Sequence, residues 1–253
     1  MIIDFHTHIG KENVGYFSNP EMLLKEMKRA NVEVSVIFPL HDENCGVCFK
    51  NSNDNISRIS KKYPSNFVGF MRLDPTCSEN TIKNEVKRCV NLGLRGIKVH
   101  PYFPKFKFTK KIMEPIMILA ETYKLPIITH TGYSNDPLCR SNYIIDIAKK
   151  FKSVNIIAAH GRGYQEVVDA LKNLKNFYVD TSCIVNHGHL SWFASNARSK
   201  VLFGSDFPFS LPIIERMKID MIEPNMGIPQ KDGMKESVKR DVLGNNAKRI
   251  LGL

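Results

Sequence analysis

The sequence predicts a (β/α)8 barrel. Three observations lead there: eight short apolar runs that read as strands, helical periodicity after most of them, and polar, chemistry-bearing residues at the ends of five. The runs are Ile2–His8, Val34–Leu40, Val68–Leu73, Gly96–His100, Pro126–Thr131, Asn155–His160, Phe177–Thr181 and Val201–Asp206. Their spacing leaves room for a loop and a helix in each interval, which suits a parallel sheet. An open doubly wound sheet would bind its ligand at one switch in strand order, and the chain has no glycine-rich dinucleotide fingerprint.

The first run carries His6-Thr7-His8. Alternate residues of a strand share a face, so both imidazoles aim at one point. Pro20 then starts a helix with Met22, Leu23 and Met27 on one side. After the second run, His41 to Asn55 is polar and cysteine-containing and reads as a long wall or lid at the C-terminal rim. Helices follow over Asn80 to Leu92, Ile112 to Tyr123 and Tyr143 to Phe151. Pro208 to Gly233, rich in proline, reads as a second wall or lid. Glu236 to Leu251 makes a closing helix through Val238, Val242 and Ile250. No linker or low-complexity tract interrupts the pattern, so residues 1–253 read as a single domain.

Composition narrows the class. Of the 253 residues 43% are hydrophobic and 24% charged, ordinary for a globular protein, and no apolar run approaches the length of a membrane span. The net charge of +11 comes from lysines scattered over helix-like stretches, and no nucleic-acid-binding motif accompanies it. Neither a nucleic-acid nor a membrane partner is expected. Met1 leads almost directly into the first strand, without room for a signal peptide, and six cysteines suit free thiols in a reducing cytoplasm. Cys45 and Cys48 have CxxC spacing but lack an identifiable fourth zinc ligand, and His187 with His189 reads as a helix start or surface pair.

The chemistry sits at the strand ends: His6 and His8, Lys98 and His100, His130, His160, and Asp206. One such histidine is usually structural. Five with an aspartate, in register on a closed barrel, point to a shared divalent metal, with zinc foremost and manganese, iron, cobalt or nickel also compatible. Arg72 at the end of the third strand and Arg162 in the loop after the sixth are candidate carboxylate clamps, since guanidinium holds carboxylate bidentately; a salt bridge to Asp74 or another rim acid is the plain alternative. His100, Tyr102 and Tyr133 either line the pocket or pack.

The ordered motifs Asp4-Phe5-His6-Thr7-His8, Gly96 to Pro101, Thr129-His130-Thr131-Gly132, Ala159-His160-Gly161, Gly204-Ser205-Asp206-Phe207-Pro208 and Asn246 to Leu251 resemble the amidohydrolase superfamily, in its amidohydrolase-related ("amidohydrolase 2") branch, over nearly the whole chain. The resemblance implies His6, His8 and His130 as ligands and Asp206 as ligand or general base. It implies His160 as a second-metal ligand or as a residue that orients water or substrate. It implies Lys98 as a bridging ligand only if carboxylated, with one ion favoured over two. The leading reaction so implied is hydrolysis of an amide, lactone or related acyl bond of a small, anionic molecule. The ion would bring the pKa of its water to about 7 and Asp206 would take the proton. The alternative is metal-dependent decarboxylation of an aromatic or unsaturated acid. A non-catalytic metal- or ligand-binding barrel is the remaining reading. A homo-oligomer is compatible with the branch, but no motif marks an interface.

Overall fold

The computed structural model describes residues 1–13, 15–222 and 236–253. The strands are β1 (Ile3–Lys11), β2 (Val34–Pro39), β3 (Phe67–Gly69 and Met71–Arg72), β4 (Ile97–Val99), β5 (Ile127–His130), β6 (Ile156–Ala159), β7 (Phe177–Asp180) and β8 (Val201–Leu202). They are buried on both faces, as strands in a helix-covered parallel sheet must be. Each pairs in parallel with the next, from Ile3 opposite Val34 round to Val201 opposite Val179. The ring closes between β8 and β1. Phe5 N donates to Phe203 O at 2.8 Å, Asp206 N to His6 O at 2.7 Å, and His8 N to Phe207 O at 2.8 Å. The chain is thus a (β/α)8 barrel.

β1 contains one extra residue relative to β2: Asp4 faces Ser35 but Thr7 faces Ile37. This bulge breaks strict alternation, so the neighbours Phe5 and His6 both reach the barrel interior, Phe5 against Phe70 and His6 against Phe38. Asp4 holds the bulge, its Oδ1 accepting from His6 N and Ser205 N at 3.1 and 2.9 Å. Below the site the interior is filled by Phe5, Phe38, Phe70, Ile128, Ile157 and Leu202, with Ala247 and Leu251 of the closing helix in the same cluster.

The helices form the outer ring: α1 (Pro20–Ala30), α2 (Lys50–Lys62), α3 (Glu79–Asn91), α4 (Lys110–Tyr123), α5 (Ser141–Lys150), α6 (Tyr164–Asn173), α7 (His187–Asn196) and α8 (Pro212–Asp220). α1 buries Leu23 and Met27 as expected, whereas Met22 faces solvent. The first expected lid is shorter than its composition implies. α2 begins at Lys50, because Asn53 turns its polarity inward. Its Nδ2 donates to Arg72 O and Glu85 Oε1 at 3.1 and 2.8 Å, and its Oδ1 accepts from Arg72 N at 2.8 Å. After β8, α8 packs on α1, with Arg216 Nη1 on Ala30 O at 2.6 Å. The rest of the second expected lid, residues 223–233, lies outside the described residues. The closing helix runs from Glu236 to Leu251, loosened by a π-turn at Asp241–Asn245. Gly244 there lies under the Met1 carbonyl, where a Cβ would stand 2.0 Å from the oxygen.

Candidate metal centre

The C-terminal ends of the strands enclose a cavity of about 420 Å³ lined by His6, His8, Arg72, Lys98, His100, His130, His160, Arg162 and Asp206, with Glu12, Phe103, Cys183 and Phe209 among its other walls. Asp206 lies where β8 turns out of the barrel, in a left-handed backbone conformation (φ 61°). Its Oδ1 is 3.1 Å from His6 Nε2 and 3.1 Å from His8 Nε2. A tetrahedral ion with ligand bonds of about 2.0–2.1 Å separates its ligand atoms by about 3.3 Å. Asp206 Oδ1 is already at nearly that spacing from each histidine, and the three donor atoms all lie within 4.8 Å of one another.

The tautomer of His6 is set from behind. Its Nδ1 lies 2.7 Å from Asp180 Oδ2, so Nδ1 carries the proton and the Nε2 lone pair faces Asp206. Asp180 is fully buried. Its Oδ1 accepts from His160 N at 3.1 Å, Ser182 N at 3.0 Å and Ser182 Oγ at 2.5 Å. Burial opposes the charge on Asp180, but His6, His160 and Ser182 hold its pKa at about 2. Burial likewise opposes Asp206, which His6 and His8 keep well below the ordinary carboxylate range. Burial drives His8 down to about 3 and His160 down to about 4. Burial and Lys98 oppose a charge on His6, yet Asp206 and Asp180 raise its pKa. Imidazoles gathered around ionised carboxylates are the donor set a borderline divalent ion takes, so the residues fit a metal.

His130 stands beside this group, its Nδ1 3.1 Å from His160 Nε2 and its ring stacked on His100. It is not among the residues whose donor atoms converge in threes. His160 Nδ1 faces Ser182 Oγ at 2.9 Å. Lys98 is buried with Nζ 3.0 Å from His6 Nε2 and 4.6 Å from the centroid of the Phe38 ring, and desolvation lowers its pKa to about 7. Among the described residues it forms no carboxylate ion pair.

Arg72 is buried without a salt bridge to Asp74 or to any other described acid. Nη1 donates to Pro39 O at 3.1 Å and Nη2 to Phe103 O at 2.8 Å, while Nε has no partner. Arg162 lies over the Tyr133 ring, 5.1 Å from its centroid. Tyr133 is 64% exposed and borders a neighbouring cavity, not the central one. Tyr102 also stands off the central cavity, its hydroxyl donating to Asp136. Cys45 and Cys48 are free thiols, as are the other four cysteines. His187 and His189 open α7, with His189 stacked on Tyr164.

Sequence reasoning missed Asp180 and Cys183. Asp180 had a usable signal, a carboxylate ending an apolar run as Asp206 does. Cys183 had none, since its place follows from the turn after β7.

A parallel barrel with histidines and an aspartate converging at its C-terminal rim defines a class of metal-assisted barrel enzymes. Within that class, this chain belongs to the amidohydrolase family, whose model matches residues 3–253. A curated relative, 2-amino-3-carboxymuconate-6-semialdehyde decarboxylase of Dictyostelium discoideum, is 21% identical, covering 93% of this chain and 77% of that one. Among solved structures, 5-carboxyvanillate decarboxylase from Sphingomonas paucimobilis superposes with a TM-score of 0.71 at 15% identity, over 100% of this chain and 99% of that one. An amidohydrolase II structure superposes with a TM-score of 0.78 at 16% identity, over the whole of both chains. At these identities the structural likenesses establish the fold. Among the described residues no helix is long and apolar enough to cross a membrane.

Proposed function

We propose that the chain is a metal-dependent decarboxylase of a small aromatic or unsaturated carboxylic acid. The observation that carries this reading is Arg72, a buried guanidinium on the cavity wall that forms no ion pair among the described residues and has an unpartnered Nε. Glu12, on the same cavity wall, acts on Arg72 electrostatically without forming an ion pair, so the guanidinium fork stays open to a substrate carboxylate. Every decarboxylase substrate carries such a group, and the curated relative named above is a decarboxylase. Decarboxylation therefore moves ahead of the hydrolysis expected from the motifs.

In this reading His6, His8 and Asp206 hold one divalent ion, zinc foremost, and His130 is a further ligand. The bound ion would supply Lewis acidity and a fixed point for substrate oxygens. Arg72 binds the carboxylate and fixes the plane of the acid, with Arg162 and His100 on the cavity wall beside it. His160, facing His130 Nδ1 through Nε2, delivers the proton that replaces carbon dioxide at the carbon. Asp206 stays ionised as a ligand, and Lys98 acts electrostatically from beside His6. Tyr102 and Tyr133 shape the rim. Residues 1–253 act as one domain on a small molecule in a reducing, cytoplasmic setting.

Hydrolysis of a lactone or amide is the second reading, favoured by Asp206, whose position also suits a general base. Turnover of aromatic and unsaturated acids in deuterium oxide enriched in oxygen-18 separates the two. Carbon dioxide release with deuterium on carbon supports decarboxylation. Oxygen-18 in a product acid without gas release overturns it in favour of hydrolysis.

A further inference from the structure

We propose that Glu12 is a specificity-determining residue. Its carboxylate accepts from an N–H or O–H that the substrate carries beside the group held by Arg72, and it turns a second carboxylate away from that place. The inference rests on the Arg72 clamp proposed above and goes beyond it, to the part of the substrate that the clamp does not touch.

Among the described residues two acids line the central cavity, Asp206 and Glu12. Asp206 is engaged by His6 and His8. Glu12 makes neither an ion pair nor a side-chain hydrogen bond with any described residue. Burial raises its pKa; Arg72 opposes that rise and Asp206 adds to it. An ionised carboxylate only accepts hydrogen bonds, and one drawn partly out of water without a donor forfeits solvation that nothing replaces. A donor on the bound molecule restores it.

The acid is carried on a fixed piece of chain. Beyond His8 the first strand turns back on itself at Gly10 (φ 125°), and Gly10 and Lys11 pair with Ser18 and Phe17. Glu12 closes this hairpin, its N donating to Tyr16 O at 2.7 Å and its O accepting from Gly15 N at 3.0 Å. Ser18 Oγ donates to His8 O at 2.5 Å, which ties the hairpin to the strand that carries the ligand. On the same hairpin the Tyr16 ring packs 4.5 Å from Phe209, whose ring meets His8 edge-on at 5.7 Å. Glu12 is therefore positioned by the backbone and by aromatic contacts on both sides of the barrel closure, and its carboxylate is left for the cavity.

Arg72 and Glu12 influence each other across that cavity without pairing. A cation and an anion held apart in one cavity read a molecule with two poles: an acceptor for the guanidinium fork and a donor for the acid. A second carboxylate where the donor belongs meets like charge in a partly dry place, so discrimination comes from repulsion as well as attraction.

The test uses the zinc-loaded full chain, with calorimetric affinities for benzoate, the aminobenzoates, the hydroxybenzoates and the benzenedicarboxylates. In the wild type at least one amino or hydroxy isomer should bind about 10-fold or more tighter than benzoate, and no dicarboxylate should exceed benzoate. That ranking needs no variant to fold, and the winning isomer tells whether N–H or O–H supplies the donor. In Glu12→Ala the advantage of that isomer should vanish, in Glu12→Gln it should shrink, and in both a dicarboxylate should gain on benzoate. No isomer better than benzoate in the wild type overturns the proposal. An advantage that survives Glu12→Ala overturns it too, by placing the acceptor elsewhere. Equal weakening of every probe by Glu12→Ala does the same, because Glu12 then only braces Arg72. Benzoate bound equally by wild type and Arg72→Lys overturns the clamp itself, and this assignment with it.

Discussion

Asp180→Asn changes one atom type and no volume, yet it should weaken metal binding strongly. Asp180 is fully buried and only accepts hydrogen bonds: from His6 Nδ1 at 2.7 Å through Oδ2, and from His160 N, Ser182 N and Ser182 Oγ through Oδ1. An asparagine must put its NH2 at one of those two places. Facing His6, it makes Nδ1 the acceptor and moves the imidazole proton to Nε2, the atom that faces Asp206. Facing the other way, it opposes three donors in a dry site. Carboxylates behind metal-binding histidines are worth about 10–100-fold in affinity, or roughly 1.4–2.7 kcal/mol. The assay is competition of the apo protein against a chromophoric chelator, with zinc, for wild type and variant. Thermal unfolding of both apo forms separates loss of ligation from loss of fold. A folded variant whose zinc affinity lies within about threefold of wild type would refute the reasoning, because the tautomer argument demands at least the lower end of that range.

Four further outcomes follow. Arg72→Lys should weaken a carboxylate-bearing inhibitor by about 10-fold or more relative to its neutral amide, since a charge-assisted pair is worth about 1.5–3 kcal/mol and lysine lacks the fork; equal weakening of both inhibitors counts against a carboxylate clamp. Asn53→Ala should cost about 2–4 kcal/mol in urea unfolding, because it strands the backbone N–H and carbonyl of Arg72 in the core; a loss under about 1 kcal/mol would mean that water replaces the side chain. Removing the ion by chelation should lower Tm by about 5–11 °C when metal had stood near 100 times its Kd, from about 2.7 kcal/mol of linkage and 2–4 °C per kcal/mol. For pH, burial opposes the Glu85 charge but Arg88 and Asn53 hold its pKa below the usual value. A depressed carboxylate stabilises fully above its unfolded pKa of about 4.3 and loses that contribution as pH falls through the folded value. Arg88→Met should flatten the slope of stability against pH below that point, as followed by acid titration of urea midpoints.

The barrel was legible because its signals are local. Strands such as Ile156-Ile157-Ala158-Ala159 are buried on both faces and read as continuous apolar runs, and α1 declares itself through Pro20 and the inward Leu23 and Met27. Where the reading stretched loops too far, polarity misled it. Asn53 looks like loop composition, but its amide satisfies the backbone of β3 inside the protein. The run at α8 hid its helix behind prolines, one of which, Pro212, sits at the helix start, where its missing N–H costs nothing.

The sequence by itself determined which residues stand at the strand ends, because the strand pattern and the order of the motifs are written in the chain. His6, His8, Lys98, His130, His160 and Asp206 could be named without coordinates, and the structure brings all six to one cavity. Their pairings were decided only by tertiary structure. The bulge in β1 that turns Phe5 and His6 inward together, Asp180 behind His6 across 174 positions, Cys183 against Asp206, and the buried Arg72 held by Pro39 and Phe103 all depend on closure of the barrel. Closure sets β8 against β1 with β7 beside β8, so hydrogen-bond partners and tautomers follow from distances between strands far apart in sequence. Local periodicity gives which face a residue takes, and it carries no information about which distant side chain meets it there.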